Sequence, residues 1–145
     1  MILRRATVDD IAPVARLHRL TVQLSLPFLP DLHTPDEDLI FFSTRLFPEN
    51  TVWVAEAEGA ILGYAAFDAD WLNHLFVHPQ AQGRGAGDAL LAKAVEDRRP
   101  RQLWTFQKNT RARRFYEARG WTLVKLTDGQ GNEEREPDAL YAWRP

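Results

Sequence analysis

Cysteine is absent from the 145 residues. Its absence excludes disulfides, thiolate metal sites and a cysteine nucleophile, and with them any acyl intermediate on enzyme sulfur. No apolar run approaches the ~20 residues of a membrane helix, and the opening stretch MILRRATVDD has no signal-peptide core. A soluble, cytoplasmic protein is the expectation. Neither sign of charge dominates, with 18 basic residues against 20 acidic ones. Without a long basic run, nucleic acid is disfavoured as the main ligand. Internal repeats, low-complexity tracts and linkers are also missing, so residues 1–145 read as a single domain long enough for one buried core.

What the chain does have is a concentration of glycine beyond its middle. In Trp71 to Arg98, WLNHLFVHPQAQGRGAGDALLAKAVEDR, an apolar strand (Leu72, Leu75, Phe76, Val77) turns at His78-Pro79 into three alternating glycines, Gly83, Gly85 and Gly87. Helical spacing follows, with Leu90 and Ala94 on one row and Leu91 and Val95 on the next. A strand, a glycine loop and a helix start form an anion cradle, because free N–H groups and the positive end of the helix dipole converge there. Glycine lets a ligand approach without a Cβ in the way and reaches φ > 0 easily. A phosphate-bearing ligand is therefore expected. Two common nucleotide motifs do not match. No glycine is followed by Lys and then Ser or Thr, as a P-loop needs, and Gly83-Arg84-Gly85-Ala86-Gly87 brings its third glycine one residue too early for G-x-G-x-x-G.

The pattern Gln82-x-x-Gly85-x-Gly87, following Leu75-Phe76-Val77-His78-Pro79, resembles the acyl-CoA-binding motif Q/R-x-x-G-x-G/A of the GNAT superfamily of N-acetyltransferases. A second match runs from Asn109 to Trp121, NTRARRFYEARGW, and is similar to that family's N-x-x-A-x-x-F-Y-E-x-x-G-F segment, with Trp121 for the usual Phe. Two motifs in the family's order and spacing are far more specific than either alone. The resemblance extends over nearly the whole chain and is loose only before Thr51.

Local patterns fill in the rest. Ile2 to Ala6 reads as a strand, and Ile11, Val14, Ala15, Leu17, His18 and Leu20 have helical spacing behind an Asp9 or Asp10 cap, with His18 as a packing residue. Leu24 to His33 is a proline-rich connection. Thr34-Pro35-Asp36-Glu37 is a capping box with proline at the first helical position, and Leu39, Phe42 and Leu46 then share a face. Thr51–Glu56 and Ile61–Phe67 form a hairpin, and Trp71–Val77 adds a third strand. After a helix ending near Arg98 come a strand at Leu103–Phe106 and a helix capped by Asn109 and stopped by Gly120. Strands at Trp121–Leu126 and Leu140–Trp143, around the polar loop TDGQGNEEREPD, complete the order β-α-α-β-β-β-α-β-α-β-β. This order predicts an α/β (α+β) fold, a mixed sheet with helices on both faces. The resemblance narrows it to a GNAT-like, mostly antiparallel twisted sheet of six to seven strands.

The resemblance also implies an activity, transfer of an acetyl group from acetyl-CoA to a primary amine on a small molecule or peptide, without a metal. With no cysteine, direct attack in a ternary complex is the expected route. The resemblance assigns Gln82, Gly83, Arg84, Gly85, Ala86 and Gly87 to the diphosphate of coenzyme A, the backbone of Leu75, Phe76 and Val77 to its pantetheine arm, and Asn109 to the same arm. A plain helix cap is the alternative for Asn109. Tyr116 occupies the family's general-acid position, with core packing beside Phe115 as its alternative. A thiol has a pKa near ~8.5 and tyrosine near ~10, so full proton transfer from Tyr116 to a thiolate is uphill by roughly 2 kcal/mol. Freeing a lysine-like amine of its proton at pH 7 costs about 4.6 kcal/mol, and the base is not assigned by the sequence. Trp71 and Asn73 stand where some family members carry a glutamate, and neither can act as a base. Asp70 and His74 are near, and a water relay, His33, or Glu133 and Glu134 are substitutes. The resemblance also places Phe28, Asp31 and His33 at the border of the acceptor site, with a plain proline-rich connector as the alternative. His33, Asn73, Glu133 and Glu134 are the candidate substrate contacts, and the carboxylates of Glu133 and Glu134 favour a cationic acceptor unless their loop is only a solvated hairpin tip. A homodimer is in keeping with similar proteins. Two other readings stand beside this one: a non-catalytic acyl-CoA sensor or interaction module on the same fold, and an unrelated nucleotide-binding domain.

Overall fold

Alternating apolar residues in TVWVAEA and AILGYAAF pair as an antiparallel hairpin, β2 (Thr51–Ala57) and β3 (Ala60–Phe67), around Glu58-Gly59, where both residues take the positive φ that such tight turns require. The computed structural model describes all 145 residues. β1 (Ile2–Arg5) and β4 (Leu72–Val77) flank the hairpin, giving a four-stranded antiparallel sheet in the order β1-β2-β3-β4. A second sheet holds β5 (Arg101–Phe106), β6 (Thr122–Thr127) and β7 (Asp138–Trp143) in the order β5-β7-β6. The two sheets meet at one parallel bridge, Trp71 with Gln102.

Because side chains alternate along a strand, the hairpin feeds two cores. Val52, Val54, Tyr64 and Ala66 pack on one face against Val14, Ala15 and Leu17 of α1 (Ile11–Ser25) and against Phe42 and Leu46. Ala55, Ala65 and Phe67 face the other way, onto Leu90 and Leu91 of α4 (Ala86–Ala94) and on to Leu103 and Tyr141 of the second sheet and Trp121 just before β6. Helices thus cover both faces, as expected. Phe42 and Leu46 lie on the π turn Phe42–Leu46, which joins α2 (Pro35–Phe41) to α3 (Phe47–Glu49). The capping box at Thr34 forms with both of its hydrogen bonds. Leu39, expected on the buried face, is 41% exposed, because α2 buries none of its residues and the core contact starts only at Phe42.

Strand ends shift from expectation by a residue or two, and four other features differ. Asp10 does not cap α1 through its side chain. It closes a single 3-10 turn at Val8–Asp10, accepting from the Thr7 N–H and holding Arg4. α4 ends at Ala94 rather than near Arg98, whose φ of 60° is incompatible with a helix. α5 (Thr110–Glu117) has Ala118 as its C-cap, so Gly120 takes its positive φ two residues further on. The fourth is in β4. Ala66 pairs with His74 but Phe67 pairs with Leu72, leaving Asn73 as the extra residue of a bulge. The alternation that would have placed Asn73 on the face of Val77 is broken there.

At the junction of the sheets the Arg101 guanidinium is 2% exposed. Its Nε donates to the Asp68 carbonyl at 2.8 Å and its terminal nitrogens to Asp97. A buried cation is tolerated only when paired in this way. Here the pairing fixes the start of β5 against the β3–β4 connection, one residue from the bridge.

Candidate active site

β4 is an edge strand. Beyond the Trp71–Gln102 bridge it pairs only with β3, and β5 diverges from it. An edge strand presents unpaired N–H and C=O groups, and the gap beside it becomes a cleft of about 360 Å³. Leu75, Phe76, Val77, Gln82, Gly83, Gly85, Gly87, Asn109 and Tyr116 line it, nine of the positions named from sequence. Arg84 and Ala86 do not. Arg84 points to solvent, and the Ala86 methyl is buried in the core, which leaves that residue only its backbone to offer.

The loop has the geometry of an anion cradle. Gly83 and Gly85 hold φ of 83° and 86°, and a Cβ built on either meets nothing within 4 Å. The N–H groups of Gln82 through Asp88 donate to no acceptor in the protein, and the ladder of α4 begins with Ala89 donating to the Gly85 carbonyl. These donors lie at the positive end of α4, where they fit a diphosphate. Gly87 differs from them, since a Cβ there would lie in contact with the Phe115 ring at 3.4 Å. The Gln82 side chain caps the free edge of β4 by donating to the Val77 carbonyl at 3.2 Å.

On the opposite wall, Asn109 Oδ1 accepts from the Ala112 N–H at 3.2 Å. The cap therefore uses the oxygen and leaves the NH2 group without a protein partner, so the two readings of this residue are compatible. The Tyr116 hydroxyl likewise has no protein partner. Its ring packs at 5.4 Å from Phe115 and 5.7 Å from Trp121, and burial pushes its pKa well above the ordinary tyrosine value. Across the cleft Thr21 Oγ1, on α1, is buried with no partner. An orphaned hydroxyl facing a cleft is a polar group placed for a ligand. Sequence inspection missed Thr21 and Ser25, although they follow His18 at helical spacing on one face of α1. It also missed Arg111 and Arg119, which bring positive charge to the same rim.

A second cleft, of about 320 Å³, opens between the α1–α2 connection and the β6–β7 loop and shares Leu26 and Phe76 with the first. His33 and Glu134 line it, together with Asp31, Asp38 and His18. Glu133 bonds His33 Nε2 at 2.6 Å, joining the two segments across the opening. Arg19 is fully engaged, by Asp38, Asp31 and the His33 carbonyl. The mouth is therefore rich in carboxylate with its one guanidinium already occupied. Phe28 stacks edge-on to Phe106 at 6.3 Å and lines neither cleft. Asn73 is also absent from both. Its amide is turned to Asn50 and Asp68, an outcome of the bulge.

His18 and His74 sit beneath the second cleft against Phe42, Tyr64 and Phe76. Burial is the main cause that brings their pKa values down, to about 4 and about 3. Of the charges acting on His18, Asp38 opposes the fall and Arg19 adds to it. Since both folded values lie below the ordinary ~6.5, the unfolded chain binds more protons beneath that pH, and stability is lost as pH falls from about 6.5 through about 4 for His18 and about 3 for His74. Thermal melts should show this loss, and His74→Gln should flatten it. An identical slope in the variant would remove His74 from acid unfolding.

The family model described as "Acetyltransferase (GNAT) domain" matches residues 48–123. An N-acetyltransferase of Archaeoglobus fulgidus is 31% identical over 134 residues, covering 80% of this chain and 89% of its own. The peptidyl-lysine N-acetyltransferase YiaC of Escherichia coli is 39% identical over 93 residues, covering 63% and 62%. Among solved structures, yncA of Salmonella typhimurium, a putative acetyltransferase determined with acetyl-CoA, superimposes with a TM-score of 0.76 at 20% identity over 99% of this chain and 93% of its own.

Proposed function

The chain belongs to the GNAT family of acetyltransferases, and from that membership we propose that it carries an acetyl group from acetyl-CoA to a primary amine, on a small molecule or a peptide, by direct attack in a ternary complex. The observation that carries this reading is the run of unpartnered amides from Gln82 to Asp88 at the head of the first cleft. Those amides hold the diphosphate, the free edge of β4 at Leu75–Val77 pairs with the pantetheine amides, and the Asn109 NH2 group contacts the same arm. The acetyl end then lies near Tyr116 and Phe76, where the clefts join. The amine enters through the second cleft, and Tyr116 donates a hydrogen bond to the departing sulfur.

Acetyl transfer is the activity of the named relatives, and nothing favours a non-catalytic sensor. The test is release of coenzyme A thiol across a panel of amines. Turnover with at least one amine is expected, whereas acetyl-CoA binding with no turnover on any would favour the sensor. No helix is long and apolar enough to cross a membrane, and we assign the reaction to the cytoplasm.

The acidic mouth of the second cleft favours a cationic acceptor. Glu134→Gln should raise KM for a diamine about three- to tenfold, in line with roughly 1 kcal/mol for one solvated charge at close range. KM for acetyl-CoA should not move. Equal KM for charged and neutral acceptors in both proteins would show that the carboxylates play no part.

A further inference from the structure

A hydrogen-bonded trio lies under the acceptor side of the cleft. The Tyr64 ring is fully buried on β3, and its hydroxyl lies 2.9 Å from His18 Nδ1 on α1 and 2.8 Å from His74 Nδ1 on β4. Neutral histidine has one ring proton and a hydroxyl has one, so only two arrangements give both contacts a proton. In the first, Tyr64 donates to His74 and accepts from His18 Nδ1–H, which leaves a lone pair on His18 Nε2. In the second the roles are exchanged and His18 Nε2 carries the hydrogen.

Where His18 Nε2 points follows from its partners. It has none in the protein, yet the only buried polar side-chain atoms without partners are Thr21 Oγ1 and Glu136 Oε2. His18 Nε2 is therefore reached from the second cleft, whose wall includes His18. The ring stands 4.7 Å from that of Phe76, one of the two residues that the clefts share. One turn further along α1, Thr21 is already in the first cleft.

Resting on the acetyl-transfer reading above, we propose that His18 is the general base of the reaction, accepting at Nε2 the proton of the attacking amine, and that Tyr64 and His74 are positioning residues that hold its ring in the Nδ1–H form. The amine nitrogen's electron pair forms the C–N bond, the C–S bond breaks, and its pair leaves on sulfur beside Tyr116. The N–H proton passes to His18 Nε2 and then to solvent through the open cleft, and a proton from solvent completes the thiol. The imidazolium keeps its Nδ1–H on Tyr64, while Tyr64 keeps donating to His74. The groups facing it are Tyr64 and His74 from the sheet, Arg19 from its own helix, and Asp38, Asp31, His33 and Glu134 around the cleft. Asp38 is the carboxylate that favours the charged ring. Burial keeps the free ring neutral and so ready to accept. A weak base suffices, because the amine proton becomes strongly acidic once the C–N bond forms.

Two measurements test this. His18→Gln should lower kcat by about 10²-fold or more and leave the Kd for acetyl-CoA, read by calorimetry, unchanged. Tyr64→Phe should lower kcat by less, with little change in acceptor KM. Separately, long-range ¹H–¹⁵N spectra of the wild-type protein with coenzyme A should show His18 as the Nδ1–H tautomer, and Tyr64→Phe should mix the two forms. Undiminished kcat in a folded His18→Gln protein, or an Nε2–H tautomer in the wild type, overturns the proposal. If the wild type transfers acetyl to no amine, the acetyl-transfer reading fails instead, and the tautomer spectrum still decides the arrangement of the trio.

Discussion

Replacing Tyr116 with phenylalanine should lower kcat by about 10²- to 10³-fold, the effect typical of removing one hydrogen-bond donor from a developing negative charge. KM for acetyl-CoA should hardly change, because the hydroxyl is used only as the sulfur leaves. The geometry makes this sharper than the sequence did. With an ordinary tyrosine, full transfer of its proton to a thiolate is already uphill, and burial raises the Tyr116 pKa further. In the proposed mechanism its contribution is therefore a hydrogen bond to sulfur, from a hydroxyl that no group in the protein occupies. The fold should tolerate the change, since the contacts with Phe115 and Trp121 involve the ring alone. Equal single-turnover rates for wild type and variant would exclude Tyr116 from the mechanism.

The second large effect concerns binding. Gly85→Ala should raise the Kd for coenzyme A between ten- and a hundredfold, about 1.4 to 2.8 kcal/mol. Two causes are mixed in such a result, the strain of a side chain at positive φ and the loss of close approach by the ligand. Gly59 separates them. It has a similar φ, 76° against 86°, and likewise nothing within 4 Å of a built Cβ, but it lies in the β2–β3 turn away from the cleft. Gly59→Ala and Gly85→Ala should each cost about 1–2 kcal/mol of stability, and only the second should weaken binding. If both variants bind coenzyme A like the wild type, the loop is a turn and no more.

Both effects fall on residues readable from the chain, for a physical reason. The glycine loop, the Asn109 cap and Tyr116 belong to contiguous segments in which each residue's role is set by its neighbours a few positions away. The hairpin and the capping box at Thr34 were legible in the same way, through period and turn chemistry. What escaped depends on register and on contacts between distant segments. The bulge at Asn73 is invisible without its partner strand, and it sends that side chain to Asn50 and Asp68 instead of the cleft. His18, Tyr64 and His74 come from a helix and two strands. His18 read as a packing residue, and it does pack against Phe42 and Phe76, but nothing local shows that its Nδ1 finds a buried hydroxyl. The orphaned hydroxyl of Thr21 is equally silent, because an unpartnered group is defined only by everything around it. Likewise the cleft exists because β4 and β5 touch at one bridge and then part.

The measurement that bears most directly on the loop as a diphosphate grip is an amide-resolved NMR titration of the wild-type protein with coenzyme A and, in parallel, with pantetheine, which lacks the diphosphate. The N–H signals of Gly83, Gly85 and Gly87 should shift strongly with coenzyme A and little with pantetheine, while those of Leu75 to Val77 respond to both. Loop amides that stay in place as coenzyme A saturates the protein would contradict the assignment of that loop to the diphosphate.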